Sequence, residues 1–242
     1  MKYLHTSISK IGLKRIDNED ALGTLDCDEG LLVVVCDGLG GNRAGEIASR
    51  LTVETIQNIF KARTEPDYLA KIKDSIVEAN RMVIEKSSKN TELNGMATTV
   101  EVLFIKNDTV YWGHVGDSRI YNLKNGKLKQ VTKDHSLVQK LVDEGYLTLK
   151  EAENHPNKNI IMRALGDSYS IDVDLSKQKL NSKDDFKFFV CTDGVTTVIT
   201  DSELQDILMQ NDINSISHKL CKLIEERGAP DNYSFVIIYK TE

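Results

Sequence analysis

The chain has 242 residues, 40% of them hydrophobic, and a formal net charge of -6. No apolar run approaches the length of a membrane span, and an acidic balance without a basic stripe argues against nucleic-acid binding. The length allows one large soluble domain or two small ones, with apolar residues enough for a sizeable core.

In chain order, the opening MKYLHTSISKIG alternates apolar positions and lacks the apolar block of an export signal, so a first strand and a cytoplasmic protein are expected. Residues 11–25 hold a dense polar cluster of Arg15, Asp17, Asn18, Glu19 and Asp20, which reads as a solvated turn. Then comes LLVVVC at 31–36, an apolar run without alternation, expected as a strand buried on both faces. Asp37 follows at once, with Gly38, Gly40 and Gly41 behind it. The third glycine of a dinucleotide fingerprint would fall on Arg43, so a cofactor pyrophosphate loop is not indicated. Two readings remain: a carboxylate and a bare glycine carbonyl offered to a hard cation, or an ordinary Asp-Gly turn.

Helical spacing covers 44–63, with a break at Pro66, and resumes over 67–88. From residue 95 the period becomes that of strands, and Asn125-Gly126 is a hairpin signal, so 95–132 is expected to form a meander. Residues 136–165 carry two short helical segments and a polar loop, expected as a surface insertion. A strand over 171–180 with Asp172 and Asp174 facing solvent, a buried strand over 186–192, helices over 201–209 and 213–227 and a last strand, NYSFVIIY, complete the chain. Of the cysteines Cys27, Cys36, Cys191 and Cys221, none has C-x-x-C spacing, and Cys36 and Cys191 read as small core residues. His114, His135 and His155 read as structural hydrogen-bonding groups.

Strands come in runs joined by hairpins and long helices come in pairs, which points to an α+β fold. Its economical form is a four-layer αββα sandwich of two mainly antiparallel sheets flanked by helix pairs, as a single domain over residues 1–242. Asp37 and Asp193 end buried-type strands, and Asp231 stands just before another. In antiparallel sheet, strand exits lie beside neighbouring starts, so these three carboxylates are placed to converge. Three such anions need a cation, and an oxygen-only donor set favours magnesium or manganese over zinc, with two ions sharing one carboxylate. Asp117, at another strand exit, is either a ligand of a further ion or a turn former.

These residues sit in a series of short motifs that resembles the metal-dependent serine/threonine protein phosphatases of type 2C, especially compact bacterial members. The motifs are R-x-x-N-E-D at 15–20, D-G-x-G-G at 37–41, G-M-A-T-T at 95–99, G-D-S-R at 116–119, T-K-D-H-S at 132–136, R-A-L-G at 163–166, T-D-G at 192–194 and D-N-x-S at 231–234. They run in order over nearly the whole chain. The resemblance implies the same αββα sandwich, with Asp37 bridging two ions and Gly38 offering its carbonyl. It further implies that Asp193 and Asp231 complete the second site, Glu19 and Asp20 hold metal-bound waters, and Asp117 with Asp193 forms a third site. Arg15 matches the arginine that binds the substrate phosphate, and 136–165 matches the flap that governs substrate choice.

The activity implied is manganese- or magnesium-dependent hydrolysis of phosphoserine and phosphothreonine monoesters by direct attack of a metal-bridging hydroxide. The partners implied are phosphorylated proteins and a serine/threonine protein kinase, for a monomer without nucleic acid or membrane. Many relatives carry a histidine within or just after D-G-x-G-G as general acid, where this chain has Leu39 and Asn42. The alternatives are a phosphomonoesterase of small molecules with the same metal chemistry and a catalytically weak regulatory module of the same fold.

Overall fold

In a computed structural model, residues 2–27, 29–40, 44–62, 67–181 and 184–241 are described. The apolar run at 31–36 is strand β3, Gly30–Cys36, and its side chains divide by parity. Leu31, Val33 and Val35 pack with Phe188, Val190, Val236 and Ile238. Leu32, Val34 and Cys36 pack instead with Val53, Ile56, Ile72 and Ile76. A strand is apolar throughout when a second sheet covers one face and helices cover the other.

The first sheet runs in the order β10 (Asp174–Lys179), β7 (Thr109–Val115), β6 (Val100–Lys106), β3 and β2 (Ala21–Cys27). The second runs β1 (Lys2–Lys10), β12 (Tyr233–Thr241), β11 (Phe186–Cys191), β8 (Arg119–Lys124) and β9 (Lys127–Gln130). Every neighbouring pair in the two sheets is antiparallel. A small ribbon of β4 (Gly38–Leu39) and β5 (Ala97–Thr98) lies at one end. Helices α1 (Ala44–Ala62) and α2 (Tyr68–Lys89) cover the first sheet. The second is covered by α5 (Asp193–Thr196), α6 (Asp201–Leu208) and α7 (Ile213–Glu226). The result is the expected αββα sandwich, with Phe188, Val190, Val236 and Ile238 meeting β3 between the sheets. No helix among the described residues is long and apolar enough to cross a membrane.

Two expectations are corrected. Residues 21–27 form strand β2 rather than part of a solvated turn, because pairing with β3 gives that mixed sequence a half-buried edge position. Residues 95–132 are not one meander: β6 pairs with β7 in the first sheet and β8 with β9 in the second. The chain crosses between sheets through residues 116–118, a step that places Asp117 where the two layers meet. Residues 136–165 carry α3 (Leu137–Asp143) and α4 (Leu149–Glu153). Pro66, Gly41, Asn42 and Arg43 lie outside the described residues.

The placement of Asp193 near Asp231 depends on close backbone approach at one glycine in particular. A Cβ on Gly194 would lie 1.8 Å from the Asn232 carbonyl oxygen, so only glycine lets the start of α5 sit against the start of β12. Gly194→Ala is expected to cost about 1–3 kcal/mol of stability through this overlap and to weaken divalent-ion binding by shifting Asp193 from Asp231. Thermal denaturation and manganese titration calorimetry measure the two effects; a variant unchanged in both would contradict this account.

Candidate metal centre

Strand register gathers acidic residues at one end of the sandwich. Cys191 of β11 pairs with Phe235 of β12 and with Arg119 of β8, so Asp193, Asp231 and Asp117 follow or precede neighbouring strand ends. In the other sheet Cys36 pairs with Ala21, which sets Asp37 beside Asp20. Asp37, Asp193 and Asp231 therefore converge as the sequence indicates, and Asp20 and Asp117 join them. Each of Asp20, Asp193, Asp117 and Asp231 acts electrostatically on Asp37.

Burial is the largest influence on this group. It pushes the Asp37 carboxyl far above the ordinary carboxylate range, and the charges of Asp20, Asp193, Asp117 and Asp231 add to it. Burial likewise raises Asp20 to about 7, against hydrogen bonds from Ser234 and Thr192, with Asp193 and Asp231 pushing it further up. Asp117 is raised to about 7 by burial, then by Asp193 and Asp134. Asp193 is raised by burial and by Asp231. Glu19 is raised by burial, against the pull of Arg15.

Hydrogen bonds fix the scaffold around these charges. The Asp37 N–H donates to Thr99 Oγ1 at 2.9 Å, and the Thr98 hydroxyl donates to the Asp37 carbonyl at 2.8 Å. The Thr99 and Ser118 hydroxyls bond at 2.8 Å, joining that loop to the turn that bears Asp117. Thr192 Oγ1 donates to Asp20 Oδ2 at 2.9 Å and accepts from the Ser234 N–H at 3.0 Å. Gly38 is buried and its N–H donates to the Glu19 carbonyl at 3.1 Å; an added Cβ would meet that oxygen at 2.4 Å. Leu39 lies in β4, opposite Ala97.

Arg15 reaches the site from the loop after β1, where its Nη2 donates to Asp231 Oδ2 at 2.7 Å. Asn232 holds that loop: its Nδ2 donates to the Ile11 and Asp17 carbonyls at 2.8 and 2.9 Å, and its Oδ1 accepts from the Glu19 N–H at 2.9 Å. Sequence reasoning passed over Asn232, Thr192, Ser118 and Thr99. All lie inside the motifs quoted, and the only signal for them is their adjacency to acids. His114, His135 and His155 are each hydrogen-bonded within the fold. His114 bonds Glu101 through Nδ1 and the Lys133 carbonyl through Nε2, and His155 Nδ1 accepts from the Asn157 N–H. His135 Nδ1 accepts from the Gly116 N–H at 3.1 Å, and its carbonyl accepts from the Met162 N–H at 2.7 Å, tying residues 136–165 to the Asp117 turn.

The donor set fits a hard divalent cation. Its atoms are carboxylate oxygens and a glycine carbonyl, and two buried ones, Asp117 Oδ1 and Glu19 Oε1, have no hydrogen-bond partner among the described residues. Among the described residues no group of three such side chains forms a ready-made coordination cage.

Residues 14–231 match the family model described as Protein phosphatase 2C. The chain is 32% identical over 226 residues to the serine/threonine protein phosphatase PstP of Mycobacterium tuberculosis, covering 93% of this chain and 43% of that protein. It thus spans less than half of that relative's length. It is 33% identical over 235 residues to the serine/threonine phosphatase Stp of Listeria welshimeri, covering 94% of this chain and 92% of the relative. Among solved structures, the catalytic domain of PstP in complex with two manganese ions superposes with a TM-score of 0.88 at 29% identity, covering 99% of each chain.

A linkage prediction follows for the metal-free protein. Asp20 and Asp117, held near 7 in the folded state against about 4 when unfolded, bind protons more tightly when folded. Their stabilising contribution is full below the unfolded value and is lost as pH rises towards and through about 7. In chelator, Tm is expected to fall between about pH 5 and pH 7.5, and manganese is expected to raise Tm more at the upper end. Differential scanning calorimetry measures both; a metal-free Tm that climbs across this interval would contradict the electrostatic account.

Proposed function

The chain belongs to the protein phosphatase 2C family, and from that premise we propose that it is a metal-dependent protein serine/threonine phosphatase. Its substrates on this reading are phosphoserine and phosphothreonine monoesters in proteins, and its natural counterpart is a serine/threonine protein kinase. The observation that carries the proposal is the meeting of Asp20, Asp37, Asp117, Asp193 and Asp231 at one end of the sandwich with Arg15 beside them. A module used only for binding has no need of so many like charges gathered in one partly buried cluster, where Asp20 and Asp117 are costly to desolvate.

In this assignment Asp37, the Gly38 carbonyl, Asp193 and Asp231 would hold manganese or magnesium ions. Glu19 and Asp20 would assist in holding them, and Asp117 with Asp193 would hold a further ion. Bound there, the ions supply an acidified water and neutralise phosphate charge. The residues of the chain do the rest. Arg15 presents a planar fork to two phosphate oxygens, and Asp231 and Asn232 keep its loop in place. Thr192 orients Asp20 so that one oxygen is fixed and the other is directed by that bond. Residues 136–165, anchored through His135, form a flap that selects substrates.

Asp37→Asn and Asp193→Asn are each expected to lower manganese-dependent turnover by about 10³-fold or more. Arg15→Ala is expected to raise KM about tenfold with a smaller effect on kcat, because a ground-state phosphate contact is removed. Steady-state kinetics on phosphoserine, phosphothreonine and phosphotyrosine peptides and on nucleotides, with manganese and with chelator, measure these effects. Normal rates in either aspartate variant would overturn the assignment, and a preference for nucleotides over phosphopeptides would favour a phosphomonoesterase of small molecules.

A further inference from the structure

The second feature of the fold lies at the edge where β9 and β10 end their sheets. A cavity of about 720 Å³ opens there between the layers, lined by Trp112, Asn122, Lys124, Lys127, Lys129 and Gln178 among others. None of the acidic residues of the candidate metal centre belongs to it. Its size lies within the range of small-molecule sites, about 300–1,000 Å³.

Register explains which side chains meet. Asn122 pairs with Lys129 and Lys124 with Lys127, so these four share one face of the second sheet. Ile120, two residues before Asn122, packs in the inter-sheet core, so that face looks toward the first sheet. From the first sheet, Ser176 pairs with Trp112 and Gln178 with Val110, and both of those partners pack in the same core. Strand β9 thus carries lysine at its inward positions, where β3, β11 and β12 carry Val, Ile and Phe.

Inward lysines on an edge strand also deter pairing with other chains, which accounts for the charge at the mouth. It does not account for the floor. Asn122 is 5% exposed, and among the described residues its Oδ1 has no hydrogen-bond partner and its Nδ2 reaches only Gln178 Oε1, at 3.4 Å. A buried acceptor left open is costly, and a donor from a ligand removes that cost. Lys124 pairs with Asp184 at 2.7 Å, and no ion pair is formed by Lys127 or Lys129 among the described residues. The cavity therefore offers an aromatic wall and an acceptor at depth, with cations at the rim.

We propose that this cavity binds a nucleoside phosphate, with the base against Trp112, a base N–H donated to Asn122 Oδ1 and the phosphates held by Lys127 and Lys129. An acidic peptide would satisfy the lysines and could donate a backbone N–H to Asn122, but its carboxylate side chains place no planar ring against Trp112. The inference does not depend on the phosphatase reading, because binding is measured without turnover.

Trp112 is the only tryptophan of the chain, so emission excited selectively over the eight tyrosines comes from the wall of this cavity. Titration of the full chain with ATP in chelator is expected to change the Trp112 emission saturably. Tripolyphosphate is expected to bind at least about tenfold more weakly, and Lys127→Glu with Lys129→Glu to raise the Kd for ATP by about tenfold or more. Both lysines are exposed, and an unchanged Tm of the double variant shows that it folds. The proposal is overturned by an emission that ATP leaves unchanged, by ATP binding indifferent to the lysines, by tripolyphosphate binding as tightly as ATP, or by an acidic peptide binding where ATP does not.

Discussion

Repulsion among carboxylates held out of water is the constraint on which the candidate centre rests. An isolated buried carboxylate would take up a proton, and Asp20, Asp37, Asp117 and Asp193 are all displaced in that direction. The chain tolerates them because each stands on a strand end fixed by hydrogen bonds and core packing on both sides. Strands β3, β11 and β12, buried between helices and the opposite sheet, carry the acids with little freedom to relax apart. The scaffold is thus rigid where the site is unfavourable, an arrangement that favours a cation over rearrangement.

The Asp117 turn shows how that rigidity is extended between the sheets. Glu101 of β6 and His114 of β7 face each other in register, fully buried, and burial raises Glu101 to about 7 while His114 is held above its ordinary value by the Glu101 carboxylate against the effect of burial. The His114 ring stacks on His135 at 4.4 Å, and Arg119 grips Asp134 with contacts of 2.7 to 3.1 Å. Asp117 is therefore braced from the first sheet, from the second and from the start of residues 136–165.

Much of this was legible in the sequence, and the illegible parts share a cause. Unbroken apolar runs announced β3 and β11, helical periodicity announced the paired helices, and Asn125-Gly126 announced the turn from β8 to β9. Strand ends marked the acids. Strand β2 was hidden because ALGTLDC is half-buried and its pattern comes from pairing with β3. The crossing at 116–118 was hidden because Gly-Asp-Ser serves a hairpin equally well. Asn232 was hidden because its partners, Ile11, Asp17 and Glu19, lie more than 200 positions away in the chain, and their separation of 213 to 221 residues leaves no local trace.

A comparison of buried polar groups separates structural roles from functional ones. Lys71 is nearly inaccessible, yet it meets Glu29 at 2.9 Å and lies over the Phe60 ring, so its charge is accounted for within the fold. The Glu101–His114 pair is likewise internal, although Glu101 Oε2 remains open, as does Thr52 Oγ1, and nothing in the structure explains either atom. The other open atoms are Glu19 Oε1 and Asp117 Oδ1 at the acidic end and Asn122 Oδ1 at the β9–β10 edge. Both places interrupt the apolar rule that governs the rest of the sandwich, one with acids at strand ends and one with lysines on an inward face. Three of the five open atoms among the described residues thus lie where acids or lysines replace apolar side chains, the places where a group from outside the chain could complete them.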